Sequence, residues 1–313
     1  MRVVFLGTPA FAVPSLDALA RAGHELVTVV AQPDRPAGRG QALREPATKV
    51  WARERGVSVL QPEKVRDGKL AAALAALRPD VLCVAAYGRI LGKDLLELAP
   101  HGAVNVHGSL LPKYRGAAPI QWAIASGEAE TGVSIMQMDE GLDTGDVLLQ
   151  RVLPIGPADT AESLSPALAA VGGEALVEAL SALEAGTVVP VPQDAAHATL
   201  APILEREHGR IDWTRPAKEI HDRLRGFQPW PGGWTTLDGK VLKILEASCE
   251  DARADASTWT PGTAFAVSGR GLAVSCAFPT VLLARRLQLE GKVPQAAADF
   301  ANGLRKKQVV LGT

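Results

Sequence analysis

The sequence is poor in cysteine, and its three, Cys83, Cys249 and Cys276, form no Cys-x-x-Cys pair. That argues against both a disulfide framework and a thiolate zinc site. A long apolar stretch is missing from its start. The run Met1-Arg2-Val3-Val4-Phe5-Leu6-Gly7 turns at once into Thr8-Pro9, too short for a leader peptide or a membrane span, so a cytoplasmic protein with no membrane association is expected. Net charge is lacking as well: 33 Lys and Arg against 34 Asp and Glu leave −1, which does not mark a generic polyanion binder. The opening Gly7-Thr8-Pro9-Ala10-Phe11-Ala12 has no second and third glycine of the G-x-G-x-x-G fingerprint, which argues against a dinucleotide site.

What is present fits two domains: 313 residues, 47% of them hydrophobic, can bury a sizeable core. Charge is unevenly spread. Residues 1–205 carry 17 Lys/Arg against 23 Asp/Glu, net −6, and residues 206–313 carry 16 against 11, net +5. A basic second part fits a polyanion held there, and ordinary drift of surface charge fits equally. Strand-like runs at 3–6, 26–31, 57–60 and 80–85 alternate with helical patterns at 11–22, 47–55 and 65–77, which predicts right-handed βαβ units and a parallel sheet. A strand at 147–155 and an Ala/Leu-rich helix at 160–185 complete a first domain, residues 1–186. Residues 187–205, with Pro190, Pro192 and Pro202, read as a linker. From 206 to 313 the texture changes to five short strands separated by turns, the first pair joined by Asp238-Gly239, which suggests a small barrel.

Chemistry-bearing residues cluster in two places. Asn105 and His107 lie two apart at the end of an apolar run, so on an extended backbone both project to one face, where an amide and an imidazole converge on one reacting oxygen. Read alone, an Asn-x-His at a strand end fits a satisfied turn as well as a catalytic pair. The loop Asp139–Asp146, after a second apolar run, supplies a carboxylate partner for the histidine. It lacks the ligand spacing of a calcium loop, so no metal is expected. Residues 32–46 are too rich in Pro and Gly for a regular element and too long for a routine connection. Their Arg35, Arg39 and Arg44 suit phosphate contacts in an RNA stem, or an ordinary solvated loop.

Several stretches carry a resemblance that spans nearly the whole chain. They are GTPAFAVPSLDAL at 7–19, AQPDRPAGRG at 31–40, VAAYGRIL at 84–91, NVHGSLLPKYRGAAPIQWAI at 105–124, TGVSIMQMDEGLDTGDVL at 131–148, RIDW at 210–213 and GFQPWPGGWT at 226–235. With them the sequence is similar to the folate-dependent formyltransferases, and the loop at 31–40 and the carboxy-terminal motifs resemble the methionyl-tRNA formyltransferase family. The resemblance implies a Rossmann-like α/β formyltransferase domain followed by a small all-β, OB-like barrel that contacts tRNA. It implies formyl transfer from 10-formyltetrahydrofolate, with no metal, to the α-amine of methionyl initiator tRNA by a monomer. By the same resemblance Asn105, His107 and Asp143 are catalytic. Ser109, Leu110, Leu111 and Pro112 contact folate, and Tyr87, Gly88 and Ile90 line the pterin pocket, although Ile90 also fits a core position. Arg35, Arg39 and Arg44 meet the acceptor stem, Arg39 as the principal contact. Leu200 and Ile203 depart from the family pattern, which has an aromatic ring and a lysine there. A formyltransferase acting on a small amine, a formyltetrahydrofolate hydrolase and a catalytically silent RNA-binding protein are the rival readings.

Overall fold

The structure, a computed structural model, describes residues 1–37, 42–250, 259–304 and 308–312. The chain divides into two compact units. The first comprises Met1–Pro119, Glu130–Pro154 and Leu164–Pro202; the second comprises Ile120–Ala129, Ile155–Ser163 and Ile203–Thr313.

In the first unit the apolar runs become strands β1 (Arg2–Gly7), β2 (Glu25–Val30), β3 (Arg35–Ala37), β4 (Ala42–Arg44), β5 (Val59–Leu60), β6 (Val81–Ala85), β7 (Ala103–His107), β8 (Arg115–Gly116), β9 (Glu130–Gln137), β10 (Val147–Pro154) and β11 (Leu200–Ala201). Seven of these form one sheet in the order β10-β9-β7-β6-β1-β2-β5. The expected parallel arrangement holds from β7 to β5. β9 and β10 run antiparallel, extending the sheet as a hairpin beyond β7. Because the chain starts at β1 in the middle and builds outward in both directions, the strand order reverses beside β1 and β6, where open α/β sheets place their ligands. Helices α1 (Val13–Arg21), α2 (Ala47–Glu54), α3 (Lys69–Ala75), α4 (Lys93–Leu96) and α6 (Ala161–Glu184) accompany this sheet, whereas α5 (Pro119–Ala125) belongs, but for its first residue, to the second unit.

α6 is long and apolar enough to cross a membrane by length and composition. Its fully buried Leu168, Leu176 and Leu180 instead face the protein core. Gly172 lets it lie close on the sheet, for a Cβ there would come within 2.8 Å of Val106 Cγ1 in β7.

Two expectations about irregular segments are corrected. Residues 32–46 hold a short hairpin, with Arg35 opposite Arg44, Pro36 opposite Leu43 and Ala37 opposite Ala42. A two-stranded ribbon tolerates Pro36 because alternate residues turn their N–H outward, where no ladder bond is lost. Residues 187–205 are not a bare linker. Val191 bridges Val147 through two 2.9 Å backbone bonds, and β11 pairs in parallel with β8.

The second unit is an antiparallel sheet of β12 (Gly233–Leu237), β13 (Lys240–Glu250), β14 (Thr263–Val267), β15 (Gly271–Ser275), β16 (Val281–Leu289), β17 (Gln295–Ala296) and β18 (Gln308–Val310), with α7 (Ala217–Gly226) and α8 (Ala297–Asn302). The path is β12-β13-β16-β15-β14-β18, with β17 on β16. The two strands beyond the expected five, β17 and β18, are two and three residues long, too short to show as alternation. Register shifts around Glu246 curl β13 against β16. Leu242, Ile244, Leu272, Val274, Leu282 and Leu287 form the core beneath α7 and α8.

Candidate active site

β7 lies inside the sheet, flanked by β6 and β9, and all five of its residues are buried. Alternation sends Val104 and Val106 to one face, and Gly172 of α6 lies against Val106 there. Asn105 and His107 take the other face, at the strand's carboxyl end. They are only 9% and 5% exposed.

Among the described residues nothing hydrogen-bonds the Asn105 side chain. A nearly buried amide without a protein partner is costly unless something else meets it. His107 is held. Its Nε2 sits 2.9 Å from the Tyr114 carbonyl oxygen, and since a carbonyl only accepts, that nitrogen carries a proton. Nδ1 lies 3.6 Å from Asp143 Oδ2. This is close enough for ionic attraction but too long for a hydrogen bond, so the Nδ1 edge remains able to serve another acceptor. Asp143 Oδ2 itself accepts the Gly116 N–H at 2.8 Å. The backbone of Asp143 is left-handed, φ 52°, which turns its carboxylate back from the loop.

The turn after β7 is tightly bonded. Ser109, fully buried, donates its hydroxyl to the Lys113 carbonyl at 2.6 Å. Ser134 of β9, which sequence reasoning did not single out, is its other support. The Ser134 hydroxyl donates to Ser109 O at 2.7 Å and accepts from Leu111 N at 3.0 Å and from Gln150 Nε2 at 2.8 Å. Gln150 also donates to Leu111 O at 2.9 Å, and the Leu111–Pro112 peptide is cis. Leu111 is buried and Leu110 half-buried, with Leu110 Cδ2 over Gly132. The signal for Ser134 and Gln150 was their place on β9 and β10, one strand and two strands from β7; it becomes legible only once pairing is known.

The loop after β6 arrives beside the loop after β2. Gly88, at φ 72°, has Gln32 Nε2 against its Cα, and Gln32 donates to Tyr87 O at 2.8 Å. Ile90 is 68% exposed and Leu91 buried, so of these two neighbours Leu91 is the core residue. Tyr87 is placed differently from the expected pocket wall: its ring is 2% exposed and packs among Val84, Leu91 and Leu95. Among the described residues its hydroxyl has no hydrogen-bond partner, and burial raises its pKa. What Tyr87 offers at the loop is its carbonyl. Gln32 also accepts from Arg35 Nη2 at 3.0 Å, linking the hairpin to this loop. Arg35 and Arg44 are exposed cross-strand neighbours. Arg39 lies outside the described residues.

Among the described residues no group of three or more His, Cys, Asp or Glu is arranged to hold a metal. Burial pushes the Cys276 thiol up to about 12 and the Cys83 thiol well above its usual range, so both are inert core groups.

Residues 1–180 match the family model described as formyl transferase, and residues 203–305 match the formyl transferase C-terminal domain. A curated relative, the methionyl-tRNA formyltransferase of Anaeromyxobacter dehalogenans, is 73% identical over 315 residues, covering 100% of both chains. That of Myxococcus xanthus is 53% identical over 302 residues, covering 96% of this chain and 95% of its own. Solved structures share the fold at low identity. The N-formyltransferase of Helicobacter canadensis, in complex with folinic acid and dTDP-3-aminofucose, superposes with a TM-score of 0.66 at 18% identity, covering 91% of this chain and 98% of that one. HypX from Aquifex aeolicus, in complex with tetrahydrofolic acid, gives 0.62 at 19% identity, covering 96% of this chain and 46% of that one. With both formyl transferase models matched and full-length identity of this degree, the chain belongs to the methionyl-tRNA formyltransferase family.

Proposed function

We propose that this protein transfers the formyl group of 10-formyltetrahydrofolate to the α-amine of methionyl initiator tRNA, acting as a cytoplasmic monomer. The observation that carries the chemistry is the nearly buried Asn105 amide, with no partner among the described residues, beside His107 and Asp143. The full-length relatives support the acceptor.

Both substrates bind as reactants. The unprotonated amine attacks the formyl carbon, and the electron pair of the C=O bond moves onto oxygen. Asn105 Nδ2–H and the Nδ1–H of a charged His107 donate to that oxygen, stabilising the tetrahedral intermediate where the charge develops. Asp143 sits within ionic reach of Nδ1 and takes the proton that the amine sheds, directly or through water. Collapse re-forms the carbonyl and breaks the bond to the folate nitrogen, which leaves with the proton that Asp143 took from the amine, returned directly or through water. The backbone of Ser109–Pro112 borders the folate, held rigid by Ser134 and Gln150. Gly88 and the exposed Ile90 border the pterin, with Tyr87 supporting from beneath. Arg35, Arg39 and Arg44 meet acceptor-stem phosphates, and the basic residues of 206–313 meet the tRNA backbone.

The test is incubation with 10-formyltetrahydrofolate and methionyl initiator tRNA, with free methionine and an amino sugar as competing acceptors. Formylation confined to the tRNA is expected. Formylation of a small acceptor instead retains the catalytic set and discards the tRNA assignment. Retention of tRNA without turnover on any acceptor leaves the binding-protein reading.

A further inference from the structure

The segment that read as a linker is fastened to both halves of the His107–Asp143 pair, and one side chain spans the gap. Gln193 Nε2 donates to the Asp143 carbonyl at 2.9 Å and to the Gly145 carbonyl at 2.7 Å. Its Oε1 accepts from Arg115 Nε at 3.0 Å and Nη2 at 2.8 Å. Arg115 precedes Gly116, whose N–H grips the Asp143 carboxylate. A closed ring results: Gln193 holds the Asp143 backbone, Arg115 holds Gln193, and the backbone next to Arg115 holds the Asp143 carboxylate. All four of the amide's contacts have good length, and both of its functional groups are used.

The same segment reaches His107. Thr199 Oγ1 accepts from Tyr114 N at 2.9 Å, and Tyr114 O is the acceptor that fixes His107 Nε2. Arg115 N donates to Thr199 O at 2.8 Å, which locks β8 to β11. The 3.6 Å separation between Nδ1 and Asp143 Oδ2 is thus set from outside the pair, by residues 193–201. Within the loop Asp139 ties Gly141 N at 3.0 Å and the Thr144 hydroxyl at 2.7 Å, but neither bond reaches the left-handed Asp143 between them, whose carbonyl is held by Gln193.

We propose that Gln193 is a positioning residue for formyl transfer, acting through Asp143 by fixing the loop that carries it. The role rests on the reading of Asp143 as the proton acceptor of the reaction. Gln193→Ala removes the whole brace, and Gln193→Glu keeps the acceptor for Arg115 but removes the donors facing two carbonyls. Both variants lose the grip on Asp143, so both are expected to lower kcat about 10- to 100-fold, as misplacement of a reacting group does. KM for methionyl-tRNA and for 10-formyltetrahydrofolate should stay within about twofold, since both functional groups of the side chain are already taken up by Arg115, Asp143 and Gly145.

The deciding measurement is a double-mutant cycle with single-turnover formylation as the readout. In an Asp143→Ala background, Gln193→Ala should cost less than about twofold, because the group it positions is gone. Equal losses in both backgrounds would overturn the proposal and make Gln193 a general structural support. A wild-type kcat in Gln193→Ala, or a loss confined to the KM for tRNA, would overturn it too, the latter by making 193–201 a tRNA surface. Wild-type turnover is measured first. Its absence on methionyl-tRNA sinks the functional reading and the positioning role with it, whereas turnover with additive losses sinks the positioning role alone.

Discussion

Asn105 and Asp143 make different demands on the transition state, and single substitutions separate them. Asn105→Ala removes one donor to the developing oxyanion and should lower kcat about 10²- to 10³-fold. Asp143→Ala removes the proton acceptor and the charge beside His107, for an expected loss of about 10²- to 10⁴-fold in kcat. Neither should change the equilibrium affinity for folate by more than about threefold. Fluorescence titration with folate beside single-turnover kinetics checks both, and severe loss of folate binding in either would count against these roles. These residues were legible in the sequence because chemistry that needs an amide, an imidazole and a carboxylate leaves those letters behind. Gln193, Thr199, Ser134 and Gln150 were not. A glutamine or serine carries no mark of what it bonds, and these act across 16 to 85 positions of sequence.

At the scale of elements, α6 and β7 are coupled by a missing side chain. Gly172→Val would drive a Cβ to within 2.8 Å of Val106 Cγ1, inside a strand fixed on both sides by β6 and β9. Overpacking of this kind costs about 1–3 kcal/mol. The shift of β7 should reach Asn105 and His107, so both the urea midpoint and kcat are expected to fall; an unchanged kcat would show that the helix gives way instead.

α7 carries a second dependence. Burial, and after it the Arg225 guanidinium, hold His221 below its ordinary value of 6.5, against the opposing pull of Asp222. The unfolded chain therefore binds this proton at a higher pH than the native one. Stability contributed by neutral His221 is present above about pH 6.5 and is lost as the pH falls through that value towards the lowered one. Urea midpoints measured from about pH 7.5 down to about pH 5 should drop, and His221→Gln should flatten that slope. The parallel strands and the helix α6 were readable from apolar runs. The hairpin at 35–44 and the pairing of β11 with β8 were hidden by prolines and glycines, which mark turns whether or not short strands flank them.

For the whole molecule, the second unit is sewn together from three stretches of chain, and Arg225 is its knot. This guanidinium is 8% exposed; Nη1 donates to Gly156 O at 3.1 Å and Asp159 O at 2.6 Å, and Nη2 to the buried Asp222 carboxylate at 2.7 Å. Asp222 Oδ2 also takes Lys218 Nζ at 2.5 Å, and a Cβ on Gly127 would come within 2.9 Å of the same oxygen. Arg225→Ala would leave the buried carboxylate with a solvent-facing lysine and the His221 ring 3.9 Å away, and would take a donor from the Gly156 and Asp159 carbonyls. Breaking such a pair costs about 3–5 kcal/mol, to be read as a lowered urea midpoint. A change within the error of the extrapolation would mean that water replaces the guanidinium freely. No periodicity could reveal that 120–129 and 155–163 belong with 203–313, since each looks like a continuation of its neighbours.

Trp122 rests edge-on against both His208 and Phe227, with ring centroids 5.2 Å apart in each case, so the insertions are packed as well as bonded. This interleaving bears on how such proteins can be recombined. A chimera joined once at Pro202, taking its tail from one relative and its body from another, would seat a foreign α7 on native 120–129 and 155–163. Parental fitness should return when those two inserts travel with the tail. Inheritance in this family is then expected to respect five breakpoints rather than one, with the residues around Trp122, Asp159 and Arg225 exchanged as a set.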